Sequence, residues 1–116
     1  MKNTIILLCI AVFGLTAQQT QAQEAKKTAE IVVQTSAQCD MCKERLEKAM
    51  AYEKGVVSSK LDVESAKFTI VYKVDKTTPE KIRQAISKTG YDADDIQADK
   101  KAHDNLPHCC QKGGHK

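Results

Sequence analysis

Apolar and polar positions change period repeatedly along this chain, and each change marks an element. Glu30-Ile31-Val32-Val33-Gln34-Thr35 has the β-branched content of a first strand. From Asp40 or Met41 to about Tyr52 the spacing becomes helical. Cys42, Leu46, Ala49 and Met50 share one face, and Lys43, Glu44, Glu47 and Lys48 the other, with Glu44 four residues before Lys48. Gly55 is the predicted C-cap. Val56–Val63 alternates with Val57, Ser59, Leu61 and Val63 on one face. After the turn Glu64-Ser65-Ala66, Lys67–Val74 alternates again with Phe68, Ile70, Tyr72 and Val74 inward. Two alternating runs with a tight connection predict a hairpin with one buried face. Thr77-Thr78-Pro79-Glu80 starts a second helix, with proline at its first position and Thr77 in capping-box spacing to Glu80. Ile82, Ala85, Ile86 and Thr89 form its apolar stripe, and Gly90 stops it. Asp94–Ala98, with Ile96 and Ala98 as its apolar positions, predicts a short edge strand. The order strand–helix–strand–strand–helix–strand is that of a split βαβ unit. The predicted fold is therefore α+β: a ferredoxin-like βαββαβ sandwich with a four-stranded antiparallel sheet and two helices on one face.

The two ends have a different character. Lys2 precedes the apolar run Ile5–Leu15, and small polar residues follow to Ala22. This is the layout of a secretory signal peptide over residues 1–22, and the run is short for a membrane span. Leu8 is too bulky before Cys9 for a lipoprotein signal. Gln23–Thr28 reads as a flexible leader, residues 29–99 as the domain, and residues 100–116 as a Cys/His-containing tail. The expected destination is the periplasm or the exterior.

Composition narrows the function. The net charge of +3 falls by one when the segment bearing Lys2 is removed, and no basic run is interleaved with aromatics, which argues against nucleic acid. No nucleophile–base–orienter set and no phosphate-binding loop stands out, so catalysis is not expected. Beyond Cys9, the cysteines are Cys39, Cys42, Cys109 and Cys110. Two such tight pairs would staple almost no chain, which suits a chemical site better than a structural disulfide framework.

Cys39-Asp40-Met41-Cys42 lies between the first strand and the first helix. There the unpaired N–H groups and the helix dipole favour thiolate over thiol. Thiolates bind soft metals and also attack disulfides, so two chemistries stay open. Two thiolates without another strong ligand nearby suit an ion of low coordination number such as Cu(I) or Hg(II), whereas structural zinc wants four ligands. The alternative is a small thiol–disulfide oxidoreductase, since a CxxC between strand and helix also opens thioredoxin-like enzymes. Asp40-Met41 lacks their Gly-Pro type of insert, and Pro79 and Pro107 stand at a helix start and in the tail rather than opposite the dithiol. A third reading is an interaction domain whose CxxC is inert. In the tail, His108-Cys109-Cys110, with His115 nearby, makes a candidate second metal site. It could also complete coordination at Cys39 and Cys42, or be a loose end whose adjacent thiols cannot pair without strain. Met41 is expected to pack or lie exposed rather than ligate, and His103 to sit on the surface.

With the CxxC before the first helix and Gly90-Tyr91-Asp92 after the second, Ala29–Ala98 resembles the heavy-metal-associated domain. That family includes copper chaperones, N-terminal modules of metal-pumping ATPases and the periplasmic mercury-binding protein. The resemblance implies Cys39 and Cys42 as metal ligands and Tyr91 as the aromatic that shields the ion. It implies Cu(I), or else Hg(II), as the cargo, and a metal-donor or acceptor protein such as a metal transporter as the partner. It is compatible with a monomer or a metal-bridged dimer. The family's opening Gly-Met-Thr-Cys-x-x-Cys reads Ser36-Ala37-Gln38-Cys39-Asp40-Met41-Cys42 here. Ala37 thus replaces a core-anchoring methionine, which bears on the rigidity of the loop. Nothing in the resemblance covers His103–Lys116.

Overall fold

Alternation in the two hairpin strands builds the core. In the computed structural model, which describes residues 27–112, β1 (Thr28–Gln34), α1 (Asp40–Ala51), β2 (Val56–Asp62), β3 (Lys67–Lys73) and α2 (Pro79–Thr89) follow in order. They are succeeded by a short α3 (Lys100–Asp104) and a 3-10 turn at His108–Cys110. The expected signal peptide, most of the leader and His115 lie outside the described residues, and Thr28, expected in the leader, already belongs to β1. The sheet is antiparallel with order β1-β3-β2, pairing Val33 with Phe68, Ile31 with Ile70 and Leu61 with Phe68. These inward residues pack against Cys42, Leu46 and Met50 of α1 and Ile82 and Ile86 of α2 as one buried cluster. The period-2 pattern of the strands and the helical stripes thus meet in one layer of apolar contact.

Several expectations need correction. The described sheet has three strands, not four. Asp94–Ala98 makes no strand, because Ala93 bridges once to Thr35 and the chain then turns back, Ala93 and Ile96 exchanging N–H···O bonds of 2.8 and 2.9 Å. Asp94 adopts φ 53°, donates its N–H to the Gln34 carbonyl at 2.8 Å, and accepts the Gln34 N–H on Oδ1 at 2.9 Å. One aspartate therefore satisfies both backbone groups at the β1 edge and caps it. Aspartate is suited to this because its side chain mimics a peptide carbonyl and tolerates the left-handed region. Its other oxygen takes the Arg83 Nε at 2.9 Å, tying α2 to the same corner.

In β2 a bulge between Val56 and Ser58 shifts the register, so Val57 is exposed and Val56 packs inward opposite Tyr72. Val74, beyond the end of β3, is also exposed. The cap of α2 is Thr78, not Thr77: its side chain accepts the Lys81 N–H, and proline at the next position holds it extended. Thr77 is buried instead, against Gly55. The helix α1 is capped by Tyr52, and Gly55 serves the following turn, at φ 86°. On the outer face of α1 the ion pair is Lys43–Glu47 rather than Glu44–Lys48.

Gly90 ends α2 as predicted, with φ 112° and its N–H returning to the last turn. Its role is wider than a cap. A Cβ there would lie 3.1 Å from the Ala102 carbonyl group and from Leu106 Cδ1, so the absence of a side chain lets α3 and Leu106 press onto the helix end. Gly90→Ala is expected to destabilise the protein by about 1–2 kcal/mol from the left-handed conformation alone, with a further loss from the α3 contact. Urea unfolding of the two proteins measures it.

Candidate metal centre

Cys39 occupies the N-cap of α1 with extended backbone, φ −153° and ψ 174°. Its carbonyl accepts the Lys43 N–H at 3.1 Å, but its thiol makes no capping hydrogen bond. A serine or aspartate at this position would turn its side chain to the helix amides. Cysteine leaves its sulfur for other partners. Three residues on, Cys42 points from the first turn into the core and is fully buried. The two Sγ atoms lie 3.3 Å apart, and both cysteines are free thiols.

The loop before α1 is held by polar ties. Thr35 Oγ1 donates to the Ala66 carbonyl at 2.8 Å and accepts the Ala37 N–H at 3.2 Å. Ser36 Oγ accepts the Asp92 N–H at 2.9 Å, and Gln38 Nε2 donates to the Gln111 carbonyl at 3.2 Å. Ala37, where the resemblance led to a missing methionine anchor, is itself buried. Hydrogen bonds thus anchor a loop that lacks a long apolar plug.

Tyr91 follows Gly90 and is driven wholly into the core. Its hydroxyl has no regular hydrogen-bond partner, and the polar groups it faces are the Cys42 and Cys110 thiols. Cys110 comes from the 3-10 turn and is 1% exposed, with Sγ 3.9 Å from Cys39 Sγ. The sulfurs of Cys39, Cys42 and Cys110 all lie within 4.8 Å of one another. The tail cysteines therefore divide. Cys110 joins the CxxC pair, while Cys109, its Sγ 3.9 Å from that of Cys110, stays outside the group and faces Met41 Sδ at 3.5 Å. His108 is exposed and stands outside the sulfur group, so the three tail residues do not gather into a site of their own. The sequence left the placement of these tail residues open, and the fold sets Cys110 Sγ beside the CxxC sulfurs. His103 is half-buried rather than a plain surface residue: its Nε2 accepts the Lys112 N–H at 3.1 Å.

The electrostatics of the three thiols differ. Burial alone would push the Cys42 thiol up, but the Gln38 backbone amide, the nearby Tyr91 hydroxyl and the thiols of Cys110 and Cys39 favour its thiolate and bring it below the ordinary value. Cys39 is raised, first by desolvation and then, against the help of the Cys42 backbone, by the neighbouring Cys42. Cys110 is pushed up to about 12, chiefly by burial and by Cys42. The Cys42 proton is thus the most loosely held of the three, and a cation that binds the sulfurs must displace those that remain. Burial also raises the Tyr91 phenol, which stays neutral. Lys43 adds little positive charge at the sulfurs, because its ammonium is held by Glu47 and by the Leu61 carbonyl at 3.1 Å.

Two outcomes follow for the metal-free protein. Tyr91→Phe removes an unpartnered buried hydroxyl and is expected to leave stability unchanged or raise it by up to about 1 kcal/mol. It should also move the Cys42 pKa upward, which a pH titration of thiolate absorbance reads. Asp92 would be raised by burial, but Lys112 Nζ at 2.8 Å and the Ala98 N–H hold it below the usual carboxylate range. A folded pKa below the unfolded one means that this contribution is full above the unfolded value and is lost as pH falls through the folded one. The tail should therefore loosen in acid, followed by NMR of the Leu106 methyls, and Asp92→Asn should flatten that response.

Similarity to known proteins agrees with this architecture. Comparison with curated proteins gives no sequence match. A solved structure described as "CopZ metallochaperone" superposes with a TM-score of 0.54 at 24% identity, covering 56% of this chain and 98% of that one. Oxidised MerP from Ralstonia metallidurans CH34 gives 0.55 at 21% identity, covering 57% and 93%. The water-soluble region of the P-type ATPase CopA from Bacillus subtilis gives 0.53 at 27% identity, covering 57% of this chain and 44% of that one. The first two likenesses carry the fold, and a family profile carries the membership. The heavy-metal-associated domain profile matches residues 35–92, from the loop before the CxxC to the residue after Tyr91, and the chain belongs to that family.

Proposed function

We propose that residues 1–22 direct export of this protein and are then cleaved, and that it binds a soft cation, Cu(I) first, between the thiolates of Cys39 and Cys42, to sequester it or pass it to another protein. The observation that carries this reading is the pair of free thiols 3.3 Å apart at a helix N-terminus, one buried with a lowered pKa and the other half-exposed. Half-exposure of Cys39 gives an incoming thiolate a side from which to enter the coordination sphere. An ion bound by few sulfurs can then move by ligand exchange, without ever being free in water. Tyr91 packs beneath the sulfurs and excludes water from the inner side, which strengthens metal–thiolate bonds and protects Cu(I) from oxidation. Family membership and the likeness to a structure described as a metallochaperone support the same class of cargo. The copper-transporting type of ATPase is a fitting acceptor, because related modules occur on such pumps. Hg(II) is the second cargo we propose. It takes the same sulfurs, and a neighbour is described as the mercury-bound form of a periplasmic protein of mercury detoxification. The bound ion is cargo, and no substrate is transformed.

Titrating the reduced protein with Cu(I) against a competing chelator tests this reading. Wild type is expected to take one ion per chain, and Cys39→Ser/Cys42→Ser to lose it. If wild type cannot compete with the chelator, metal carriage falls and the reduction potential of the dithiol becomes the quantity to measure.

A further inference from the structure

We infer that Cys110 is a third thiolate ligand, so that the cargo sits in a three-sulfur site closed by the C-terminal tail. This rests on the function proposed above and specifies how the site holds its ion.

The sulfur geometry favours three ligands over two. With metal–sulfur bonds of about 2.3 Å, a planar three-sulfur site spaces its sulfurs about 4.0 Å apart, whereas a linear two-sulfur site needs about 4.6 Å. The observed separations are 3.3 Å for Cys39–Cys42 and 3.9 Å for Cys39–Cys110, with all three atoms within 4.8 Å. The Cys39–Cys110 side thus matches the trigonal spacing, the Cys39–Cys42 side falls short of it by about 0.7 Å, and the third side is no longer than 4.8 Å. Linear coordination by Cys39 and Cys42 alone would have to spread them by more than an ångström. The third sulfur is also no accident of a loose end, because the segment from Asp99 to Lys112 is fastened at several points. Asp99 N–H donates to the Ser87 carbonyl at 2.9 Å and its carboxylate caps α3. Leu106 is buried against Gly90. Gln111 Nε2 donates to the carbonyls of Asp104 and Leu106, both at 3.1 Å. Its own carbonyl takes Gln38 beside the CxxC, and Lys112 pairs with Asp92 beside Tyr91. The tail is therefore bound to both loops that frame the sulfurs, and Cys110 is delivered between them. Cys110 and the tail residues that make these contacts lie beyond residue 92, where the family match ends.

A third thiolate changes what the site does. An incoming ligand must now displace Cys110 or wait for the tail to lift, so retention gains over hand-off. The fastenings at Gln38 and Asp92 lie at the rim, where a docking acceptor protein can compete for them. The tail then acts as a latch whose release opens the two-sulfur form from which the ion transfers.

Copper X-ray absorption on the reduced, singly loaded protein counts the sulfurs directly, with sedimentation confirming one ion per monomeric chain. Three sulfurs are expected in wild type and in Cys109→Ser. Two, at a shorter Cu–S distance, are expected in Cys110→Ser and Cys110→Ala, the pair guarding against one variant failing to fold. Release of Cu(I) to an excess of chelator should be faster in both Cys110 variants. Two sulfurs in wild type, or three retained in the Cys110 variants, would overturn the inference while leaving the Cys39/Cys42 site standing. Failure of wild type to bind at all would remove both.

Discussion

The left-handed turn at Gly90 is the constraint on which the metal centre depends. An L-residue side chain is disfavoured at φ 112°, and the α3 backbone occupies the space a Cβ would take. Because the chain reverses there, Tyr91 enters the core instead of continuing along α2. Asp92 then reaches Ser36 on the loop before α1, and Asp94 closes the edge of β1. One backbone conformation thus brings the end of the second helix against the start of the first. The sulfurs lie at that junction.

Around this corner the protein separates packing from chemistry. The apolar cluster of β1, β3, α1 and α2 fixes where α1 begins, and so fixes Cys42. The loop carrying Cys39 is held by hydroxyl, amide and carboxamide bonds, not by a long apolar side chain. Such ties are directional, which suits a loop that must keep a sulfur in place with little buried volume beneath it. Tyr91 supplies that volume, and its hydroxyl is the described side-chain polar atom left buried without a partner. A buried donor facing sulfur is an expensive arrangement in an empty core, and it becomes favourable when those sulfurs carry charge.

The charges of the thiols fit a site that fills on demand. The Gln38 amide and the neighbouring Tyr91, Cys110 and Cys39 groups lower Cys42 against its burial, while desolvation raises Cys39 and Cys110. A soft cation would repay that desolvation through metal–thiolate bonds and expel the protons, coupling ion uptake to proton release. The metal-free cluster avoids burying three negative charges together.

Most of this was legible in the sequence wherever a local rule decided the outcome. Helical spacing placed Cys42, Leu46 and Met50 on one face, alternation placed Phe68, Ile70 and Tyr72 inward, and proline and glycine marked the ends of α2. Local rules misled where two neighbours competed for one role. Thr78 rather than Thr77 caps α2 because the residue before proline is forced to be extended, and Val57 is displaced outward by a bulge that no period announces. The predicted fourth strand failed for a related reason: Asp94 satisfies the β1 edge through its side chain and left-handed backbone, leaving Ile96 nothing to pair with but Ala93. By itself the sequence determined the family, the two thiols of the CxxC and the elements that present them, because these depend on residues within one or two turns of each other. Only the tertiary structure decided where the tail goes. Cys110 is seventy-one residues from Cys39, and its place follows from Leu106 docking at Gly90 and from rim contacts to Gln38 and Asp92. No spacing rule encodes contacts of that range, since each depends on surfaces that exist only after the sheet and helices have packed.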